Sequence, residues 1–249
     1  MSGDRRRALL FALPGALLSG VLLVGLLGLP AFGHALHPYA RYVAGHGASQ
    51  RHVTNLVAAI VFDYRGIDTL GEETILFAAV MGAALLLRGS RRVQEQHPED
   101  AASETARGFG GAFPPAVLLL GLWVVAFGYI TPGGGFQGGV VIGGAILLLW
   151  VAGSYRTFQR ATPELLIHVA EGGAIAAILA TGVLGLARDR PYLANVLRLG
   201  SPGQLLSGGT IAVLNGLTGL AVAAGVVLLL REFLQEHVQT LPGAEEEPP

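Results

Sequence analysis

The sequence predicts an all-α membrane protein with about six transmembrane helices, arranged as a two-span unit followed by a four-span unit. Residues 108–155 form an apolar stretch of 48 residues without a charged side chain. Because one bilayer crossing needs roughly 20 apolar residues, this stretch is long enough for two. Of all residues, 52% are hydrophobic and only 13% are charged. The apolar runs are continuous and lack the alternation of barrel strands, so helices are predicted.

The first two predicted spans cover about residues 8–29 and 69–87. The first follows three arginines and tolerates a kink at Pro14. Its apolar run of 22 residues is long enough to span and exceeds that of a secretory signal, so a retained helix is favoured over a cleaved one. The second has an uncharged core of only 14 residues, so we expect this helix to include Glu72 and Glu73.

Four further spans are predicted at about residues 112–130, 136–155, 163–187 and 206–230. They form a domain at 108–235, which a polar linker at 89–107 separates from the two-span unit at 1–88. The acidic, proline-rich tail at 236–249 is predicted to be disordered.

The distribution of arginines predicts the orientation of the chain in the membrane. With six spans, ten arginines lie on the side of the N-terminus and six on the other, so the positive-inside rule favours a cytoplasmic N-terminus. Residues 30–60 fit either an interfacial amphipathic helix or a re-entrant segment.

Composition excludes several classes of function. There is no cysteine, so disulfides and thiolate metal sites are excluded. The net charge of −1 gives no reason to expect a nucleic-acid partner. The histidines of the first loop lack a metal-ligand spacing, so no metal site is predicted. We also find no nucleophile–base arrangement, which argues against an enzyme.

A cluster of ionisable residues lies directly before the second apolar run. Asp68 and Glu72 are four residues apart and would share a helical face. A carboxylate at membrane depth is a candidate proton relay or cation-binding group. Alternatively, Thr69 is the N-cap of the helix and Glu72 completes a capping box. Both interpretations stay open, because a capping glutamate could still titrate. The ion-path candidates in this cluster are Asp63, Arg65, Asp68, Glu72 and Glu73.

A glycine-rich hairpin separates the third and fourth spans. Its residues are Thr131, Pro132, Gly133, Gly134, Gly135, Phe136 and Gln137. A tight turn explains them, since proline sets φ and glycine allows positive φ. An unwound segment that lines a polar cavity, or that allows close approach of a neighbouring chain, explains them as well.

Polar residues inside the last two spans give further candidates. His168 and Glu171 are three residues apart near the start of the fifth span, where they either belong to an ion path or reach the interface. Asn215 is predicted to make an interhelical hydrogen bond, and Gly219 to be a second helix contact.

The hairpin phrase TPGGGFQGG at 131–139 resembles the B subunit of Mrp-type (Mnh) multisubunit Na⁺/H⁺ antiporters, as do the phrases at 171–174 and 214–225. This resemblance covers roughly residues 108–235. Residues 55–88, which contain DYRGIDTLGE, are similar to the C-terminal end of the A subunit of the same antiporters. They are equally similar to a small subunit of membrane-bound hydrogenases. Tyr64 and Ile67 stand where the family usually has Phe. The chain thus resembles a fusion of two neighbouring subunits.

The resemblance implies a subunit of a cell-membrane complex that exchanges Na⁺ for H⁺ and contains several membrane proteins in the lipid bilayer. It implies a secondary transporter without a bound cofactor, and ion-path roles for Asp68, Glu72 and Glu73 beside the hairpin. The chain has no lysine, so it lacks the Lys–Glu pairs of the family's large subunits. The alternatives are a subunit of a redox-driven pump such as a membrane-bound hydrogenase, a purely structural scaffold and, less favoured, an independent membrane enzyme.

Overall fold

A computed structural model describes residues 3–29, 38–88, 113–152 and 155–239. All regular structure within these residues is helical, which confirms the prediction of an all-α fold. The chain divides into two compact units, residues 1–41 and 42–249. The predicted linker at 89–107 lies outside the described residues, as does the predicted tail from residue 240 onward.

The first unit contains helix α1, Gly3–Leu27, which carries Pro14 in its interior. This helix begins five residues before the predicted span and ends two residues before its predicted end. Its apolar part, Pro14–Leu27, is shorter than a complete bilayer crossing. Helix α2, Pro38–Arg51, starts in this unit and continues into the second.

The start of the second unit is a succession of short helical segments that leads into one long helix. Helix α2 is followed by α3, Leu56–Ala59, a π-turn at Ile60–Tyr64 and α4, Gly66–Arg88. Asn55 caps α3, because its side chain accepts hydrogen bonds from Val57 N and Ala58 N.

The structure shows that the capping-box interpretation of Thr69 is wrong. Helix α4 begins three residues earlier, so Thr69 lies inside its first turn and is not the N-cap. Its Oγ1 instead donates a hydrogen bond of 2.6 Å to the Val61 carbonyl. The π-turn explains this contact, since Arg65 N donates to the Ile60 carbonyl, one residue further back than in an α-helix. The hydroxyl of Thr69 therefore donates to a backbone carbonyl within the π-turn.

The remaining helices pack around the last one. They are α5 Phe113–Phe127, α6 Gly135–Ala152, α7 Tyr155–Ala161, α8 Glu164–Leu186 and α9 Thr210–Gln239. Helix α9 contacts α4, α5, α6 and α8. Of its apolar window 61% is buried, against 17% in α4 and 28% in α8, so α9 is the centre of the bundle.

Within the described residues, three helices are long and apolar enough to cross a membrane, namely Gly66–Leu87, Glu164–Leu186 and Thr210–Leu234. Shorter apolar helices occur at Pro14–Leu27, Phe113–Phe127 and Gly135–Val151. Each predicted span therefore contains an apolar helix. The sixth begins at Thr210 and not at residue 206, because Gly208 and Gly209 have φ values of 76° and 59°, which no helix accommodates.

Helix α6 approaches α9 and α5 through glycines. A Cβ atom added to Gly139 would lie 2.7 Å from the Gly219 carbonyl oxygen on α9. One added to Gly138 would lie 2.8 Å from Val125 N on α5. Such close contact of backbones is typical of small residues on membrane helices. It places the N-terminus of α6, and the hairpin before it, directly against α9.

Candidate functional site

A cavity of about 540 Å³ lies between the start of α4 and the glycine-rich hairpin. Its polar lining consists of Thr69, Glu72, Gln137, Thr218 and the backbone of Gly133, Gly134 and Gly135. The remaining lining is apolar and consists of Val57, Ala58, Val61, Phe62, Ile75, Leu76, Ala79 and Phe136. The structure thus brings Glu72 and the hairpin together, although some sixty residues separate them in the chain.

Glu73 lies behind this cavity, inside the bundle. Its side chain is 1% exposed, whereas Glu72 is exposed on the cavity side of α4. Neither carboxylate oxygen of Glu73 has a hydrogen-bond partner among the described residues. A burial of this kind is costly for an ionised group. The sequence predicts Glu73 as a candidate beside Glu72, and the distinct environment of Glu73 comes from the packing of α4 against α8 and α9.

A void of about 10 Å³ adjoins the Glu73 side chain. This is close to the smallest volume that holds one water molecule. Its lining comprises Phe62, Gly66, Thr69, Leu70, Glu73, Ile178, Leu193, Leu214 and Thr218. Phe62, Thr69 and Thr218 line both the void and the larger cavity, so these three side chains form the boundary between the cavity at Glu72 and the void at Glu73.

Glu171 of α8 lies in the same interface of α4, α8 and α9. It lies at the level of Leu76 and Val80 of α4, past Glu73. It is 2% exposed, and its Oε1 would lie 3.2 Å from a Cβ atom on Gly225 of α9. Leu76 and Val80 of α4 approach the same point. The absence of a side chain at Gly225 therefore makes room for a second buried carboxylate.

His168 has different surroundings from Glu171. Its Nε2 is 3.8 Å from Oε1 of Glu164, and Glu164 also lies 3.4 Å from the guanidinium of Arg231. Arg231 is buried and donates to the Thr162 carbonyl at 2.5 Å. His168 thus belongs to a polar cluster at the junction of α7, α8 and α9 and does not line the cavity.

The other charged candidates lie outside the cavity too. Asp63 is 2.8 Å from Arg51 Nε, and its side chain is 8% exposed. Burial raises the pKa of Asp63, although Arg51 and the Asn195 side chain act in the opposite direction. Asp68 pairs with Arg65 at 2.6 Å on the surface, where both side chains are well exposed and such a pair contributes little.

Asparagine side chains hold the hairpin from two sides. Asn215 accepts a hydrogen bond of 2.7 Å from Gly135 N and donates one of 2.6 Å to the Val125 carbonyl. Gly219, one turn later on α9, packs against Val125. From the side of α3, the Asn55 side chain donates to the carbonyls of Gly128, Thr131 and Gly133, which lie just before and within the hairpin. Sequence analysis did not single out Asn55, although an asparagine directly before an apolar run is a recognisable cap.

Comparison with known proteins then relates the chain to a family. Residues 107–228 match the family described as a domain related to the MnhB subunit of Na⁺/H⁺ antiporters. An uncharacterised protein of Methanocaldococcus jannaschii is 33% identical over 70% of this chain and 74% of its own length. The chain belongs to the MnhB-related family.

Two antiporter proteins are also similar to this MnhB-related chain. A probable A/B-type subunit of a K⁺/H⁺ antiporter from Rhizobium meliloti is 31% identical over 51% of the chain, which is 15% of that protein. The B subunit of the Na⁺/H⁺ antiporter of Bacillus subtilis is 35% identical over 31% of the chain and 53% of its own length. The chain therefore matches only part of each antiporter protein. The match to an A/B-type protein supports the resemblance to two neighbouring subunits.

Two solved structures resemble the chain. A chain of the membrane-bound sulfane sulfur reductase, an archaeal respiratory membrane complex, has a TM-score of 0.72 and 30% identity over 92% of this chain and 98% of its own length. A chain of the Mrp complex from Dietzia sp. DQ12-45-1b has a TM-score of 0.70 at 21% identity, covering 100% of this chain and 27% of that one. The second likeness is one of fold.

Proposed function

We propose that the chain is a membrane subunit of a multisubunit antiporter complex that exchanges Na⁺ for H⁺, and that it contributes part of the ion path. The observation that carries this proposal is the cavity lined by Glu72 and the hairpin, next to the void at Glu73. In this proposal the A-like and B-like parts of the chain form the cavity together. The other partners would be further membrane subunits and lipid, which the many exposed apolar side chains would contact.

Glu72 and Glu73 would have different roles in the exchange. A cation or proton in the cavity would first meet the exposed Glu72. It would then pass between Thr69 and Thr218 to Glu73, whose buried carboxylate is stabilised either by protonation or by a cation. Because only one of these can neutralise the group at a time, Na⁺ and H⁺ compete for it, and exchange follows from that competition. Both ions are cargo, and the chain itself would hold no cofactor.

Replacing each glutamate by glutamine in the whole complex tests this role. We expect Glu73→Gln to lower the Na⁺-dependent pH change in vesicles at least tenfold, about the effect of 1.4 kcal/mol on a rate, and Glu72→Gln to lower it less. Asp189→Asn, in an exposed loop, is the matched control and should leave exchange unchanged. Normal exchange in both glutamate variants, with assembly intact, would identify the chain as a scaffold.

A redox-driven complex is the second candidate, because a chain of a respiratory complex matches this one over nearly its whole length. The purified complex discriminates between the two. An antiporter should exchange Na⁺ for H⁺ in vesicles without an electron donor and should co-purify without iron–sulfur or nickel subunits. Exchange that needs an electron donor would favour the redox-driven pump.

We further propose that the chain resides in the cell membrane with its N-terminus in the cytoplasm, as the arginine distribution favours. A protease-accessible tag placed at the N-terminus should be cleaved in inside-out vesicles and protected in right-side-out vesicles. The opposite pattern would reverse the orientation.

A further inference from the structure

One side-chain amide, that of Asn55, contacts three carbonyls within and just before the hairpin. The Asn55 Nδ2 donates to the carbonyls of Gly128, Thr131 and Gly133 at 2.6, 3.1 and 3.2 Å. In addition, Asn55 N donates to the Tyr129 carbonyl at 3.2 Å. These carbonyls lie in the irregular segment that follows α5, where backbone groups need partners from outside the segment. Asn55 therefore supplies donors to a segment about seventy-five residues away in the chain.

The same side chain also organises the opposite wall of the cavity. The Asn55 Oδ1 accepts from Val57 N at 3.0 Å and from Ala58 N at 3.4 Å, which caps α3. Val57 and Ala58 line the cavity on one side, and Gly133 lines it on the other. Thus one planar amide binds both walls, through its oxygen on one side and its nitrogen on the other.

Other contacts to the hairpin do not duplicate this connection. Asn215 holds Gly135 from α9, and its described hydrogen bonds go to Gly135 and Val125 and not to α3. Thr54 donates to the Ile130 carbonyl, but its side chain reaches a single acceptor. Asn55 alone, among the described hydrogen bonds, joins the first turn of α3 to two carbonyls of the hairpin, those of Thr131 and Gly133.

We propose that Asn55 is a positioning residue that sets the separation of the hairpin from α3, and with it the width of the cavity beside Glu72. The consequence for transport rests on the proposed function, whereas the consequence for geometry does not. Asn55 acts through the backbone it holds and touches neither Glu72 nor Glu73. No hydrophobic residue, and no acid, can replace an amide that both accepts and donates.

Asn55→Asp separates the hydrogen bonds that the side chain accepts from those that it donates. An aspartate keeps the oxygen that caps α3 but cannot donate, and it places a negative charge beside three carbonyl oxygens. Asn55→Ala removes both kinds of hydrogen bond. Gln50→Ala is the matched control, because Gln50 bonds the hydroxyls of Tyr42 and Tyr64 and not the hairpin.

The absence of cysteine allows the width of the cavity to be measured directly. Spin labels on Val57→Cys and Phe136→Cys, which are 60% and 39% exposed on opposite walls, report the distance across the cavity in the assembled complex. Any cysteines of the other subunits are replaced. With Asn55 present we expect one narrow distance distribution. Asn55→Asp and Asn55→Ala should shift or broaden it by about 1 Å or more, and Gln50→Ala should leave it unchanged.

Transport kinetics supply the second measurement. Asn55→Asp should change the apparent KM for Na⁺ by roughly tenfold, as loss of an orienting contact typically does, with a smaller effect on the maximal rate. A broad distribution in the unmodified chain, or an unchanged one in both Asn55 variants, overturns the proposal. If the distance changes but KM does not, Asn55 keeps its positioning role and the proposed function of the cavity is wrong.

Discussion

Glu72 and Glu73 are neighbours in the chain but have different surroundings in the protein. Successive residues of an α-helix point about 100° apart, so Glu72 faces the cavity while Glu73 enters the interface of α4 with α8 and α9. Glu171 enters the same interface from α8. Two buried carboxylates, Glu73 and Glu171, therefore lie in one interface, whereas Arg65 and Asp68 form a pair on the surface.

Asp63 should make the stability of the protein depend on pH. Burial raises its pKa above the usual 3.8, which outweighs the opposing effect of Arg51. The folded state then binds this proton more tightly than the unfolded state does. The stability that Asp63 contributes is fully present below pH 3.8 and is lost as the pH rises through the higher pKa of the folded state.

Asp63→Asn, which stays neutral, should remove this part of the pH dependence of Tm. Thermal unfolding in detergent, recorded from below pH 3.8 upward, measures it. Gly144→Ala, whose added Cβ meets nothing within 4 Å and which does not titrate, is the control and should leave the dependence as it is. Parallel curves for the unmodified protein and Asp63→Asn would contradict the prediction.

The arrangement of the elements depends on how closely α6 can approach α9. Gly139 and Gly219 face each other, and Gly138 faces α5 on the other side of the same helix. Because lipid tails are as apolar as the side chains they contact, such helices associate mainly by close packing and hydrogen bonds. This contact positions Gly135 within reach of Asn215, and so it also determines where the turn of the hairpin ends and α6 begins.

Gly139→Ala should weaken this contact. Its Cβ atom would lie 2.7 Å from the backbone of Gly219, so α6 must move away from α9. We expect a loss of about 1–3 kcal/mol, typical of an overpacked site. Gly144→Ala is the control, because nothing lies within 4 Å of its added Cβ. Thermal unfolding in detergent compares the two, and an equal Tm in both would show that the contact tolerates a methyl group.

Two parts of the chain share one interior. The A-like part is residues 55–88, which resemble the A subunit, and the B-like part is formed by the helices from α5 onward. Helix α4 packs on α9, and Asn55 bonds the hairpin. The cavity takes its lining from both parts. These noncovalent contacts join the two parts in addition to the covalent connection of the chain.

Cleavage between the two parts should leave them associated. A protease site inserted within 89–107 would cut the chain after assembly, and a tag on the C-terminal part should then retain the N-terminal part in mild detergent. Uncut protein carrying the same insertion is the control. Release of the N-terminal part on cleavage would show that the contacts of α4 and Asn55 are too weak to join the parts by themselves.

By itself the sequence determined the helical class, the positions of the apolar helices and the identity of the ionisable candidates. It did so because in lipid only helices satisfy the backbone of long apolar runs, and because charges in such runs are rare. It also pointed to Glu72 and the hairpin as separate features. The start of α4 was misplaced, since a π-turn is a hydrogen-bonding detail without a clear pattern in the residues.

Only the tertiary structure decided which residues act together. That Glu73 is enclosed while Glu72 is exposed depends on where α8 and α9 lie against α4, and no periodicity within α4 specifies this. The same holds for Asn55, whose three acceptors come from a distant turn. Burial and hydrogen bonding between distant segments are properties of the packed chain, because each needs a partner that the local sequence does not contain.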